Sequence, residues 1–199
     1  MKYIRSLGLL AVAAAATMAF AASASADYIT TTTGGSTPAL NSETLHIATD
    51  GGHTIVGNDI AFIRCNWTLL AKIETHTGGT SRDAAEGAIS SLTFTGCTDG
   101  WHLTTTAPGS IWVDWTSGHN GTIYLDGTRI VATRFNVPCA YETHHTHLGS
   151  ITGGNPATMH IEAFFPIDIE SSSELCGEGD ATVDGNFVTT SGVYIANGH

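Results

Sequence analysis

The chain has 199 residues, 42% of them hydrophobic and 13% charged, with a formal net charge of −11. Beyond position 26 its five basic residues (Arg64, Lys72, Arg82, Arg129 and Arg134) are scattered, so there is no basic patch to release counterions from a polyanion. The acid excess repels nucleic acid and anionic lipid alike, and nucleic acid is set aside as a partner.

The first element is a sorting signal. Lys2 and Arg5 give a positive start, Leu7 to Phe20 is small and apolar apart from Thr17, and Ala24-Ser25-Ala26 stands ahead of Asp27. This is the pattern of a secretory signal peptide over residues 1–26. No twin arginine precedes the apolar run, and no cysteine precedes Cys65 to carry a lipid. Cleavage would leave 173 residues, with 5 basic against 18 acidic and a formal net charge of −13. After the signal no apolar stretch reaches the ~20 residues of a spanning helix, so no transmembrane segment is expected in the mature chain. The expected location is outside the cell or at its envelope surface.

Residues 27–43 are rich in Thr, Gly and Ser and are read as a flexible leader, with an edge strand followed by a loop as the alternative. Residues 44–199 then suit a single domain. From Thr44 onward, short runs of Thr, Val, Ile and aromatic residues are separated by Gly, Asn and Asp at intervals of roughly ten residues. The expected strands are Leu45–Ala48, Thr54–Val56, Ile60–Lys72, Ile89–Phe94, Leu103–Ala107, Ile111–Trp115, Thr122–Leu125, Arg129–Phe135, Cys139–Thr143, Met159–Ile167, Ala181–Phe187 and Val193–Ile195. Only Ser81–Gly87 reads as helical. The expected fold is all-β, an antiparallel β-sandwich.

Alternation orients several of these strands. Ile111, Val113 and Trp115 share one face and Trp112 and Asp114 the other, while Met159, Ile161, Ala163, Phe165 and Ile167 form one apolar row with His160, Glu162 and Asp168 opposite. A hairpin turning near Gly153-Gly154 is expected to pair Cys139–Thr143 with Met159–Ile167, which sends His144 to the outer face that carries His160 and Glu162.

Cys65, Leu92-Thr93-Phe94-Thr95-Gly96-Cys97, Pro138-Cys139-Ala140-Tyr141, Leu175-Cys176 and Ala181-Thr182-Val183-Asp184-Gly185-Asn186-Phe187 together resemble a large group of small exported actinobacterial proteins. The resemblance covers Cys65 to Ala196. It implies a secreted β-sandwich with disulfides and brings no established reaction or catalytic residues; the His144-His145-Thr146-His147 cluster is not part of its pattern. Four cysteines in an exported chain predict two disulfides clamping the sandwich. Of the three connectivities, Cys65–Cys97 with Cys139–Cys176 is preferred because each bridge staples a local strand group, and the crossed pairings stay open.

The chemistry-bearing candidates are few. His145 and His147 project from one side of an extended strand, and with His144, His160 and Glu162 they form a candidate transition-metal set, against the default of surface histidines and no cofactor. The acids between Gly177 and Asn186 lack the spacing of a twelve-residue calcium loop and read as solvated turn residues. No Gly-x-Ser-x-Gly elbow is present and no catalytic residue is assigned. Trp112 and Tyr124 are candidate ligand-binding aromatics, Trp112 because it lies opposite the apolar row of its strand; the alternative is a second covered face. The expected function is a non-enzymatic module binding a surface protein or glycan, or self-associating, with a secreted hydrolase as the rival.

Overall fold

The computed structural model describes residues 28–30, 44–51, 54–57, 61–74 and 85–196. The β-branched runs form β1 (Tyr28–Thr30), β2 (Thr44–Thr49), β3 (Thr54–Gly57), β4 (Phe62–Glu74), β5 (Ala85–Thr95), β6 (His102–Ala107), β7 (Ser110–Ser117), β8 (Asn120–Asp126), β9 (Arg129–Arg134), β10 (Val137–Glu142), β11 (Thr146–Thr152), β12 (Thr158–Phe165), β13 (Ala181–Thr189) and β14 (Tyr194–Ala196).

The main sheet runs β12-β11-β8-β7-β5-β4-β2-β13, every pair antiparallel, and β12 also pairs with β13. β3 continues the lane of β2: β2 lies opposite Thr68–Lys72 of β4, and β3 opposite Phe62–Cys65. The circuit therefore closes into an eight-stranded barrel in place of the expected two-sheet sandwich. The closing step is the pairing of Thr158–Phe165 with Ala181–Val188. A sandwich and a barrel both ask each strand for one buried face, so alternation alone does not separate them.

An eight-stranded barrel is about wide enough for its own side chains to fill. Ile47, Trp67, Ile111, Ile123, Met159 and Phe187 line what space is left, an apolar cavity of about 20 Å³. That is room for about one water, in a lining that is almost wholly apolar. Trp67 packs edge-on to Phe94 at 4.9 Å and against Phe187 at 5.8 Å. This cavity is too small for a larger ligand.

Two rows agree with the alternation: Ile111 and Val113, and Met159, Ile161, Ala163 and Phe165, are buried, whereas His160 and Glu162 are exposed. The expected hairpin does not form, because β12 pairs with β11 and β13 while β10 pairs with β9. The turn near Gly153-Gly154 joins β11 to β12. β11 itself escapes alternation because its pairing with β8 steps from His147↔Tyr124 to Gly149↔Ile123, a bulge that leaves His147 exposed and turns Leu148 into the core.

Two further expectations are corrected. Ala85–Gly87, read as the end of a helix, begin β5 opposite β7, and residues 81–84 lie outside the described residues. Tyr28–Thr30, read as leader, pair with Tyr194–Ala196 of β14, and Ile29 and Thr30 are buried. Residues 1–27 and 31–43, which hold the signal pattern and the rest of the leader, lie outside the described residues.

A three-stranded sheet, β10-β9-β6, stands apart from the barrel circuit. Cys65–Cys97 ties β4 to the end of β5, and Cys139–Cys176 ties β10 to the 3-10 turn Glu174–Cys176. Among the described residues no cysteine is free, and no helix is long and apolar enough to cross a membrane.

Candidate functional site

The strands β7, β8 and β11 bring Trp112, Tyr124 and His147 into one cross-strand row on the outer barrel wall, Trp112 opposite Tyr124 and Tyr124 opposite His147. His147 meets the Tyr124 ring edge-on at 5.5 Å and 70°. His145, from the turn between β10 and β11, lies flat on Tyr124 at 4.8 Å and 1°, and edge-on to Trp112 at 6.0 Å and 84°. The two tyrosine contacts and the Trp112 contact make one four-ring cluster. His145 and His147 are exposed, and Trp112 and Tyr124 are half-buried beneath them.

The turn that carries His145 is fixed from below. Thr143 and Thr128, both fully buried, are cross-bonded: Thr128 N–H donates to Thr143 Oγ1 at 2.9 Å, and Thr143 N–H donates to Thr128 O at 2.9 Å. Gly127 N–H donates to Thr143 O at 2.9 Å. This zips the β8–β9 turn to the β10–β11 turn. Asp126 Oδ1 then accepts the His145 N–H at 2.9 Å while His145 holds a left-handed φ of 50°. Backbone bonds to a rigid wall thus aim the imidazole, as a preorganised site requires. The Trp112 indole N–H donates to Ser110 Oγ at 3.1 Å, which fixes that ring as well.

The five residues of the expected metal set are not gathered. His145 and His147 converge on Tyr124, His144 lines a different surface with Glu142 and Asp168, and His160 Nδ1 pairs with Asn186 Oδ1 at 3.1 Å. Glu162 lies opposite Asp184 on β13. The interposed β11 separates what the expected hairpin would have joined. Among the described residues no group of three or more His, Cys, Asp or Glu is placed to hold a metal ion.

The surface lined by His144 is an open groove of about 440 Å³ with Glu142, Asp168 and Glu170 on it. Arg129 reaches Asp168 Oδ2 through Nη2 at 3.0 Å and Nε at 3.3 Å. Hydrogen bonds from Ser171 first, and from Arg129 next, hold the Asp168 carboxyl below its ordinary range. A carboxylate locked in its ionised form suits an ion pair and not a general acid, which needs a raised pKa.

Trp112 and Tyr124, expected as ligand-binding aromatics, lie in this cluster, whereas His145 and His147, expected on one side of an extended strand, meet Tyr124 from a turn of left-handed φ and from β11 respectively. Sequence reasoning missed the Thr128–Thr143 support, the Arg129–Asp168 pair and the Arg134 guanidinium over the Trp101 and Phe135 rings. Phe135-Asn136 between two apolar runs was the available signal for that last hairpin tip. No family model, curated protein or solved structure matches the chain.

Proposed function

We propose that the protein is a secreted or envelope-associated, non-enzymatic binding module, and that its ligand-contacting surface is the outer barrel face at Trp112, Tyr124, His145 and His147. The observation that carries this reading is the flat stacking of His145 on Tyr124 beside Trp112, held by backbone bonds to Asp126 and the Thr128–Thr143 support. Exposed rings fixed in place offer contact area at small entropic cost.

A barrel interior filled by its own side chains favours contact with a ligand on the outer surface. Glu86, opposite Trp112 in the register, and Asp126, beside His145, give the face a negative border. Such a border suits a neutral or amino-sugar glycan, or a basic protein surface, better than an acidic polymer. The two disulfides are consistent with an extracellular location. This reading keeps the chain with the small exported actinobacterial proteins that its cysteine segments resemble.

Affinity capture from the producing cell's own envelope and medium tests it. Wild-type protein is expected to retain one stoichiometric glycan or surface protein that the Trp112→Ala/His145→Ala variant does not retain. Equal recovery by both, or turnover of a polysaccharide, ester or peptide by the pure protein, would contradict it.

A further inference from the structure

The β9–β10 hairpin ends in two surfaces of opposite shape and charge. At its turn, Phe135 and Asn136 hold φ of 51° and 63°, the left-handed pair that asparagine and glycine supply most easily in a two-residue hairpin. A phenylalanine is strained there, and it is 83% exposed, so packing within its own chain does not repay the strain. Behind it the Arg134 guanidinium lies over the Phe135 ring at 4.8 Å and the Trp101 ring at 5.9 Å. Among the described residues no carboxylate pairs with Arg134, and its Nε is buried with no hydrogen-bond partner. The tip is an aromatic, cationic knob on an acidic chain.

The other end of the hairpin lies about 17 Å away, five residue steps at ~3.3 Å each, where Arg129 stands opposite Glu142. There the open groove of about 440 Å³ sets Glu142, Asp168 and Glu170 around Pro166, Ile167 and Ile169. Arg129 reaches both Asp168 Oδ2 at 3.0 Å and Glu142 Oε2 at 3.9 Å, so one guanidinium serves two of the three carboxylates and the groove stays acidic overall; Ile169 is 68% exposed.

We propose that the knob of one copy seats in the groove of a second copy, so that the protein assembles head to tail. Each surface supplies what the other lacks: the carboxylate excess of the groove, with Glu170 outside the Arg129 pairs, for an unpaired guanidinium, and a phenyl ring over an exposed isoleucine. The length of the hairpin keeps a chain's own knob out of its own groove. The contact is therefore heterologous, which builds rings or open chains and not a two-fold dimer. It uses neither Trp112 nor Tyr124, so it stands apart from the proposed ligand face.

Sedimentation of the mature protein over a concentration series tests this, with two variants made at exposed or half-exposed positions: Arg134→Ala/Phe135→Gly in the knob and Ile169→Ser/Glu170→Lys in the groove. Wild-type mass should rise with concentration and fall back with added salt, and each variant should assemble at least tenfold more weakly. An equimolar mixture of the two variants should stop at a one-to-one dimer, because only one intact knob and one intact groove remain. Wild-type protein that stays monomeric at millimolar concentration, a variant that assembles as the wild type does, or a mixture that stays monomeric would each overturn the proposal. Thermal unfolding of both variants checks that they are folded.

Discussion

His145 lies parallel to Tyr124, ring on ring at 4.8 Å and 1°, although one residue belongs to a turn and the other to the barrel wall. The stack registers an otherwise exposed turn against the sheet, and pairs of this kind contribute about 0.5–1.5 kcal/mol beyond the area they bury. Asp126 accepts the His145 N–H and so favours the left-handed backbone that lets the imidazole reach the phenol.

Thr143→Val keeps the volume of the buried side chain and deletes its hydroxyl, leaving the Thr128 N–H without the acceptor it has at 2.9 Å. An unsatisfied buried donor costs about 1–3 kcal/mol. Urea unfolding should show a loss in that range, and the His145 ring resonances should move away from their Tyr124-stacked positions.

Gly149→Ala should be among the most damaging single substitutions in the chain. Gly149 has φ of 154°, and a Cβ there would overlap the His160 carbonyl oxygen on the neighbouring strand. The atoms it would meet, His160 O and C and Ile161 Cα, are all backbone of β12, with no flexible side chain to yield, so a loss on the order of 3 kcal/mol is expected. Thermal unfolding would show it, together with disturbed His147 contacts.

Asp168→Asn separates the Arg129 tie from the rest of the fold. The Asp168 carboxyl is held below its ordinary range, so its stabilising share is complete above the unfolded value of ~3.9 and is lost as pH falls through the lower folded value. Denaturation at several pH values should show the variant less stable than wild type by a constant margin from neutrality to mildly acid pH. The margin should shrink below pH ~4 and vanish in stronger acid. A margin that grows on acidification would contradict the assignment.

The Cys139–Cys176 bridge, with a sequence separation of 37, closes the segment that carries the groove back onto β10. On the chain-entropy model a loop of this length contributes about 3–4 kcal/mol. The Cys139→Ala/Cys176→Ala variant should melt on the order of 10 °C lower, with proteolysis starting between residues 166 and 176. Peptide mapping of unreduced protein should recover Cys65 linked to Cys97.

Much of the barrel wall was legible because it depends on neighbours in sequence. Inward Ile111 and Val113, outward Trp112, and the Met159-to-Phe165 row follow from strict alternation, and the cysteine pairs are the sequence-adjacent connectivity preferred among the three possible. Illegible were the features set by distant partners or by a broken period. The bulge at Leu148 hid β11, and with it the strand that separates His160 and Glu162 from the other histidines. The barrel circuit rests on β13 finding β2 and β3, 125 to 142 positions earlier, and the groove on Arg129 finding Asp168, 39 positions away. No local pattern encodes either pairing.

The central claim is that ligand contact occurs at Trp112 and the two histidines above it, and the indole N–H resonances test it most directly. The chain has four tryptophans: Trp67 lies in the core, Trp115 donates to Gly118 O at 3.0 Å, Trp101 sits under Arg134, and Trp112 stands on the outer face. Titration of the partner recovered by affinity capture into isotope-labelled protein should shift the Trp112 indole N–H and the His145 and His147 ring signals, while Trp67 and Trp101 hold still. A shift of Trp101 with Trp112 unmoved would contradict the account and move the binding surface elsewhere.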